Sequence, residues 1–183
     1  MLNQPFQIVV KWNLCVGCKK CEVACSRAHF GIINPSMSAI RIYSYYPGPN
    51  YIPIICSFCS DRPCVEACPS EAMYYDNENF LIRVKENKCL GSTCSLCVEA
   101  CKMNRSNAIH FHPNLSYPIR CDQCGGDPQC VKACHFDVLD FLPASLIFGG
   151  KHFASPAEEI AQDLAQKWFP ATADRRIKYS LED

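Results

Sequence analysis

Cys15-Val16-Gly17-Cys18-Lys19-Lys20-Cys21-Glu22-Val23-Ala24-Cys25 sets the architecture of the whole chain. Three cysteines separated by two residues each are followed by a fourth one helical turn on. The pattern returns at Cys56, Cys59, Cys64, Cys68, at Cys89, Cys94, Cys97, Cys101, and at Cys121, Cys124, Cys130, Cys134. Four groups of four use all 16 cysteines of the 183-residue chain. Each later group widens one gap, while the spacing of three residues before the last cysteine never changes. The groups start 41, 33 and 32 residues apart, which marks an internal repeat. Alanine precedes the last cysteine every time: Ala24, Ala67, Ala100, Ala133. A small residue there lets the backbone come close to whatever the sulfurs hold, and alanine also favours a short helix.

Cysteine makes up about 9 per cent of the chain, the range of disulfide and metal scaffolds. Leu, Ile, Val and Phe are too thinly spread for one large core, so something besides side-chain burial holds the chain. Disulfides need an oxidising compartment, and Met1 to Trp12 has no charged n-region, apolar stretch and small-residue cleavage site. Zinc usually takes two C-x2-C pairs set well apart. Here three cysteines crowd one loop, the spacing of bacterial [4Fe–4S] ligation, in which the fourth cysteine serves the other cluster of a pair. The spacing favours four [4Fe–4S] clusters. Lys+Arg and Asp+Glu are 18 each, which argues against a nucleic-acid binder. No apolar run approaches a membrane span. The expected location is cytoplasmic, where thiols stay reduced for cluster assembly.

Apolar segments flank turns after each group and read as hairpins. The pairs are Ala39–Tyr46 with Tyr51–Ile55, Ala72–Tyr75 with Phe80–Val84, Ala108–His112 with Tyr117–Arg120, and Val138–Phe141 with Leu146–Phe148. Phe6–Trp12 is a further strand, expected to pair into the first domain. The expected fold class is α+β: two bacterial-ferredoxin-like domains made of four cysteine-loop, short-helix and β-hairpin units, plus a C-terminal arm with one helix. In the arm, Ser155-Pro156-Ala157-Glu158 reads as a helix start, with Ile160, Leu164 and Trp168 on one face and Pro170 as the stop. That face suits either the chain's own core or a partner subunit. Spacing leaves the pairing of groups open: neighbours pair, or the second and third nest inside the first and fourth.

The run Cys56-Ser57-Phe58-Cys59-Ser60-Asp61-Arg62-Pro63-Cys64-Val65-Glu66-Ala67-Cys68-Pro69-Ser70-Glu71-Ala72-Met73 resembles the second cysteine group of the four-cluster iron–sulfur subunits of dimethyl-sulfoxide-reductase-type molybdenum and tungsten oxidoreductases. Cys15–Cys25 is similar to their first group, and Cys121–Cys134 to their fourth. The likeness runs from about Leu14 to Phe141. Small subunits of tungsten aldehyde-oxidoreductase-type and benzoyl-CoA-reductase-type enzymes belong to the same broad set, and a short chain without a membrane anchor leans toward them. The resemblance implies nesting. The first cluster then takes Cys15, Cys18, Cys21 and Cys134, and the second Cys25, Cys121, Cys124 and Cys130. The third takes Cys56, Cys59, Cys64 and Cys101, and the fourth Cys68, Cys89, Cys94 and Cys97. It also implies an outer domain of residues 1–48 and 102–148, an inner domain of 49–101, and an arm of 149–183. Two features depart from the family: the widened Cys89-Leu90-Gly91-Ser92-Thr93-Cys94 loop, and the lack of proline after Cys25, Cys101 and Cys134.

A cluster with four thiolates carries about −2. Lys19, Lys20, Arg62, Lys102, Arg105 and Arg120 stand where they could temper that charge, although basic residues are more often a solvated face. His135 adjoins Cys134 and is a candidate hydrogen-bond donor to sulfur; His110 and His112 alternate as one polar face. Full cysteine ligation leaves iron no open site, and no nucleotide fingerprint or Ser/His/Asp arrangement is present. The expected function is therefore non-catalytic electron relay between a large Mo/W-pterin catalytic subunit and a further carrier. A free-standing polyferredoxin serving several enzymes, and a cysteine module sensing iron or oxygen, are the alternatives. Co-purification with a large subunit separates the first from the others.

Overall fold

The computed structural model describes residues 5–46, 50–104, 106–147, 155–176 and 179–181. The architecture is α+β, with short helices between three small antiparallel sheets. In chain order the elements are β1 (Phe6–Val10), α1 (Lys20–Phe30), β2 (Arg41–Tyr46), β3 (Asn50–Ile54), α2 (Pro63–Glu66), β4 (Met73–Asp76), β5 (Leu81–Val84), α3 (Leu96–Asn104), α4 (Gln129–Ala133), β6 (Leu139–Pro143), α5 (Ala157–Trp168), α6 (Ala173–Arg176) and β7 (Tyr179–Leu181).

Two of the four expected hairpins form in full. β2 pairs with β3, running from Arg41 opposite Ile54 to Tyr45 opposite Asn50. Part of its turn lies outside the described residues. β4 pairs with β5 around a turn held by Asp76, whose Oδ1 accepts the N–H groups of Glu78 (3.0 Å) and Asn79 (3.1 Å). The third hairpin shrinks to one bridge, His110 opposite Ile119. The fourth does not form among the described residues. β6 pairs instead with β1, from Phe6 opposite Pro143 to Val10 opposite Leu139, and Ala144–Leu146 turns as a 3-10 helix. The reason is that an alternating apolar strand needs a partner of matching period, and β1 supplies one with Ile8 and Val10 facing inward. The Phe6 and Phe141 rings meet at 5.1 Å between centroids.

Buried side chains gather in two cores. The first holds Ile8, Val10, Ile40, Ile55, Ile119 and Leu139 with Cys25, Cys121 and Cys130; here α1 packs on α4. The second holds Ile52, Ile54, Met73, Ile82, Ile109 and Ile160 with Cys64 and Cys101; here α2 packs on α3. Trp12 and Cys56 pack against both cores and mark the seam between them. The Trp12 indole N–H donates to Pro53 O at 3.2 Å.

The C-terminal helix lies on the chain's own second core. α5 packs on β3, and β7 extends the β2 edge. The helix begins one residue later than the capping pattern predicts, with Pro156 in the cap position and Glu158 and Glu159 in its first turn. Ile160 is fully buried, as expected, but the rest of the buried face is Ala157, Ala161 and Ala165. Trp168 remains 39% exposed. Alanine makes up most of the face that α5 buries, and Trp168 is the last residue of the helix.

Candidate metal centre

The cysteine loops share a backbone device. Two residues after the first cysteine of each group the chain turns left-handed: Gly17 (φ 70°), Phe58 (48°), Gly91 (76°) and Gln123 (55°). Non-glycine residues reach that region at a steric cost, so Phe58 and Gln123 hold strained backbone. The turn aims an N–H back at the first sulfur. Gln123 N donates to Cys121 Sγ at 3.4 Å; burial raises the Cys15 and Cys56 thiols, and the N–H groups of Gly17 and Phe58 offset part of that rise. Successive N–H groups curled in this way form an anion-binding concavity. At Gly17 an added Cβ would collide with the Tyr51 ring.

A second left-handed residue stands two before the third cysteine in three groups: Lys19 (φ 55°), Arg62 (44°) and Ser95 (42°). Each starts a helix that carries the third cysteine; in α1 and α3 the fourth follows on the same face, whereas Cys68 lies just beyond the end of α2. The fourth cysteine then meets an N–H from the chain beyond its helix. Ala39 N donates to Cys25 Sγ, Met73 N to Cys68 Sγ and Ala108 N to Cys101 Sγ, each at 3.3 Å. Glu22, buried on α1, accepts Ile42 N at 2.6 Å and ties that helix to β2.

Sulfurs from distant groups come together. Cys15, Cys18 and Cys21 line one recess with Cys134. Cys121, Cys124 and Cys130 line another with Cys25. Burial pushes the Cys56 thiol up to about 12, and its neighbours Cys64, Cys101 and Cys59 add to the rise. Burial likewise lifts Cys97 to about 11, with Cys68 and Cys89 close enough to contribute. Cys21 and Cys64 are pushed up to about 12, chiefly by burial, and burial also pushes Cys130 and Cys121 up. Cys68 goes the other way: burial opposes ionisation, but N–H groups of Met73, Ala72 and Ser70 and the Ser70 hydroxyl lower it. Neighbouring sites also touch electrostatically, Cys130 with Cys21, Cys121 with Cys56, and Cys64 with Cys97.

Crowded thiols of this kind cannot ionise together unless a cation compensates them. The donor set is all sulfur and each sulfur-rich loop presents N–H groups, so the residues fit an iron–sulfur cluster. All four cysteines of the first two expected sets come together in shared recesses. The mutual influence of Cys56, Cys59, Cys64 and Cys101 draws the third set together, and for the fourth it draws together Cys68, Cys89 and Cys97.

Among the remaining expected residues, His135 is exposed and has no hydrogen bond to sulfur among the described residues. The histidine that does reach a sulfur is His29, at the end of α1. Its Nε2 lies 3.5 Å from Cys124 Sγ and 3.3 Å from Asp122 Oδ1. His110 is half-buried. Its Nε2 meets Ser36 O at 3.2 Å, and burial, aided by Arg41, pushes its pKa down to about 4. Arg62 stacks on the Tyr75 ring at 3.6 Å. Lys102 is exposed, Arg120 is half-buried beside Cys121, and Arg105 lies outside the described residues. No described helix is long and apolar enough to cross a membrane.

No family model matches the chain. Curated relatives do. The polyferredoxin-like subunit of an aliphatic sulfonate oxidoreductase from Pyrococcus furiosus is 38% identical over 171 residues, covering 92% of this chain and 95% of its own. The B subunit of the anaerobic dimethyl sulfoxide reductase of Escherichia coli is 32% identical over 78% of this chain and 75% of its own. The B subunit of the polysulfide reductase of Wolinella succinogenes is 32% identical over 70% of this chain and 71% of its own. Among solved structures, a polypeptide of the active site complex BamBC of benzoyl coenzyme A reductase aligns over 95% of this chain and 97% of its own, with TM-score 0.44 and 17% identity.

Proposed function

The chain belongs to the electron-transfer subunits of dimethyl-sulfoxide-reductase-type oxidoreductases, and from that premise we propose that its sixteen cysteines hold four [4Fe–4S] clusters in two ferredoxin-like domains. It is a non-catalytic subunit of an oxidoreductase complex. The ligand sets are Cys15, Cys18, Cys21 with Cys134; Cys121, Cys124, Cys130 with Cys25; Cys56, Cys59, Cys64 with Cys101; and Cys89, Cys94, Cys97 with Cys68. The observation that carries this reading is the recess in which Cys134 faces the first three cysteines of the chain. Nesting of the first and fourth groups makes that recess a four-sulfur site.

A bound [4Fe–4S] cluster supplies one-electron storage at a potential set by ligation, hydrogen bonds to sulfur and exposure. The chain's own part is to supply the thiolates, the N–H donors and the order of the sites. The electrostatic influence of Cys21 on Cys130, Cys56 on Cys121, and Cys97 on Cys64 supports a single file of four sites. Such a file suits relay between a large Mo/W-pterin catalytic subunit at one end and a further carrier at the other. The two domains are the outer 1–48 with 102–148 and the inner 49–101, with α5 seated on the inner one. The proposed compartment is the cytoplasm.

Anaerobic purification of the chain followed by iron analysis tests the reading. About sixteen irons per chain is the expected result. Zinc without iron overturns it. Isolation of a large pterin-containing subunit with the chain supports the relay role, and a stable monomer with full iron and no partner favours a free-standing carrier.

A further inference from the structure

At the seam between the two cores the chain runs from Ile109, in the second core, through the His110–Ile119 bridge to Ile119, in the first. Arg120 comes next, directly before the buried Cys121. Its side chain is half-buried, and its Nε is buried with no hydrogen-bond partner among the described residues. A buried cation with an open donor is costly unless negative charge nearby compensates it. Asp122, Cys121 and Cys56 provide attraction, and Arg83 repels. Arg83 is itself paired with Asp76 at 2.7 Å, so it is already neutralised in part. Cys56 packs against both cores, and Cys121 feels its charge. The cation therefore sits where the outer and inner site pairs meet.

We propose that Arg120 is a positioning residue for electron transfer: its permanent charge raises the potentials of the two clusters bound through Cys121 and Cys56 and so eases passage of electrons across the seam. The proposal rests on the four-cluster reading above. Reduction adds one negative charge to a cluster, and a nearby fixed cation stabilises the reduced form more than the oxidised one. Arginine stays protonated even when burial disfavours its charge. No other described basic residue stands next to a buried first cysteine: the residues before Cys15, Cys56 and Cys89 are Leu14, Ile55 and Lys88, and Cys89 is only half-buried.

The test is a redox titration followed by electron paramagnetic resonance on the iron-loaded chain and its Arg120→Gln, Arg120→Met and Arg120→Lys variants. Iron and signal number in the wild type are checked first; a count other than four clusters breaks the underlying reading before any variant is compared. With four clusters present, the neutral variants should lower the midpoint potentials of two clusters and leave the other two unmoved. Arg120→Lys should restore both. Unchanged potentials in the neutral variants, or equal shifts in all four clusters, overturn the proposal. Loss of iron in all three variants also overturns it, because that assigns Arg120 a packing role that lysine's charge cannot replace. Loss of iron in the neutral variants alone, with the lysine variant normal, supports the requirement for charge.

Discussion

The core around Cys25 and Cys130 is sealed by β1 and β6, which lie roughly 130 residues apart in the chain, whereas the core around Cys64 and Cys101 draws on the hairpins β2–β3 and β4–β5. Going from a four-residue turn to a closure of that length is about five doublings, and at about 0.6 kcal/mol each the extra entropy is about 3 kcal/mol. Burying Ile8, Val10 and Leu139 contributes about 1.5–3 kcal/mol per side chain, which outweighs that cost. Long-range closure is thus tolerable for stability. Its penalty falls on folding rate, because distant contacts form only after the loop between them has closed.

The sharpest way to break this comparison is Cys134→Ala. Under nesting it removes a ligand from the site of Cys15, Cys18 and Cys21, so that cluster should become a three-iron form or be lost while the inner pair keeps its signals. Spectra beside those of Cys15→Ala decide the matter, since both changes should hit one cluster. Damage instead at Cys89, Cys94 and Cys97 would require the ligand sets to be redrawn by sequence neighbours.

Ile160→Ala probes the other side. Ile160 is fully buried where α5 meets the second core, so the expected loss is about 2–5 kcal/mol. Denaturant unfolding followed by cluster absorbance should show the inner sites bleaching earlier than the outer ones. Simultaneous bleaching would mean that the two cores unfold as a single cooperative unit.

Gly17→Ala sets loop strain against core packing. A Cβ at φ 70° must also displace the Tyr51 ring, so destabilisation of at least about 1 kcal/mol is expected, confined to the first loop. Iron retention during mild chelation measures it, and undiminished retention would show that the loop accommodates the methyl.

The smallest effect concerns the β4–β5 turn. Hydrogen bonds from Asn79, then Arg83 and the Asn79 and Glu78 N–H groups, hold the Asp76 carboxyl at about 2, below its ordinary 3.8. A folded value below the unfolded one means stability that is present above about pH 4 and lost as pH falls through about 2. The difference in unfolding midpoint between wild type and Asp76→Asn should therefore narrow from pH 5 to pH 3. A constant difference would show that the carboxylate's charge has no part in it.

Much of this organisation is legible in the residues themselves. Cysteine spacing marks the four loops, and alternation marks β2, β3, β4 and β5. Glycine at positions 17 and 91 signals a left-handed turn. Phe58 and Gln123 adopt the same turn without any such signal, because the tertiary structure imposes it on residues that do not favour it. The β1–β6 pairing is hidden because Val138–Phe141 has one period whichever strand it faces. His29 and Cys124 are 95 residues apart, and only the packing of α1 on α4 brings them together. Periodicity misplaces the inward face of α5 at Trp168, because it ranks size and apolarity, whereas alanine makes up most of that face and Trp168 is the last residue of the helix.

The β1–β6 ladder also sets a timetable for biosynthesis. β1 leaves the ribosome with the first cysteine group, but its partner is still unmade until Pro143 has been translated. At about 5–20 residues per second the delay is on the order of 6–30 s, during which β1 is an unpaired edge and, under nesting, the first three thiols lack the sulfur of Cys134. The second and third groups, complete at Cys101, emerge sooner and next to one another. If the groups nest, metal loading on the nascent chain should run from the middle of the sequence outward, and a message truncated before Cys134 should yield a product that carries its inner pair yet stays open at its N-terminal edge.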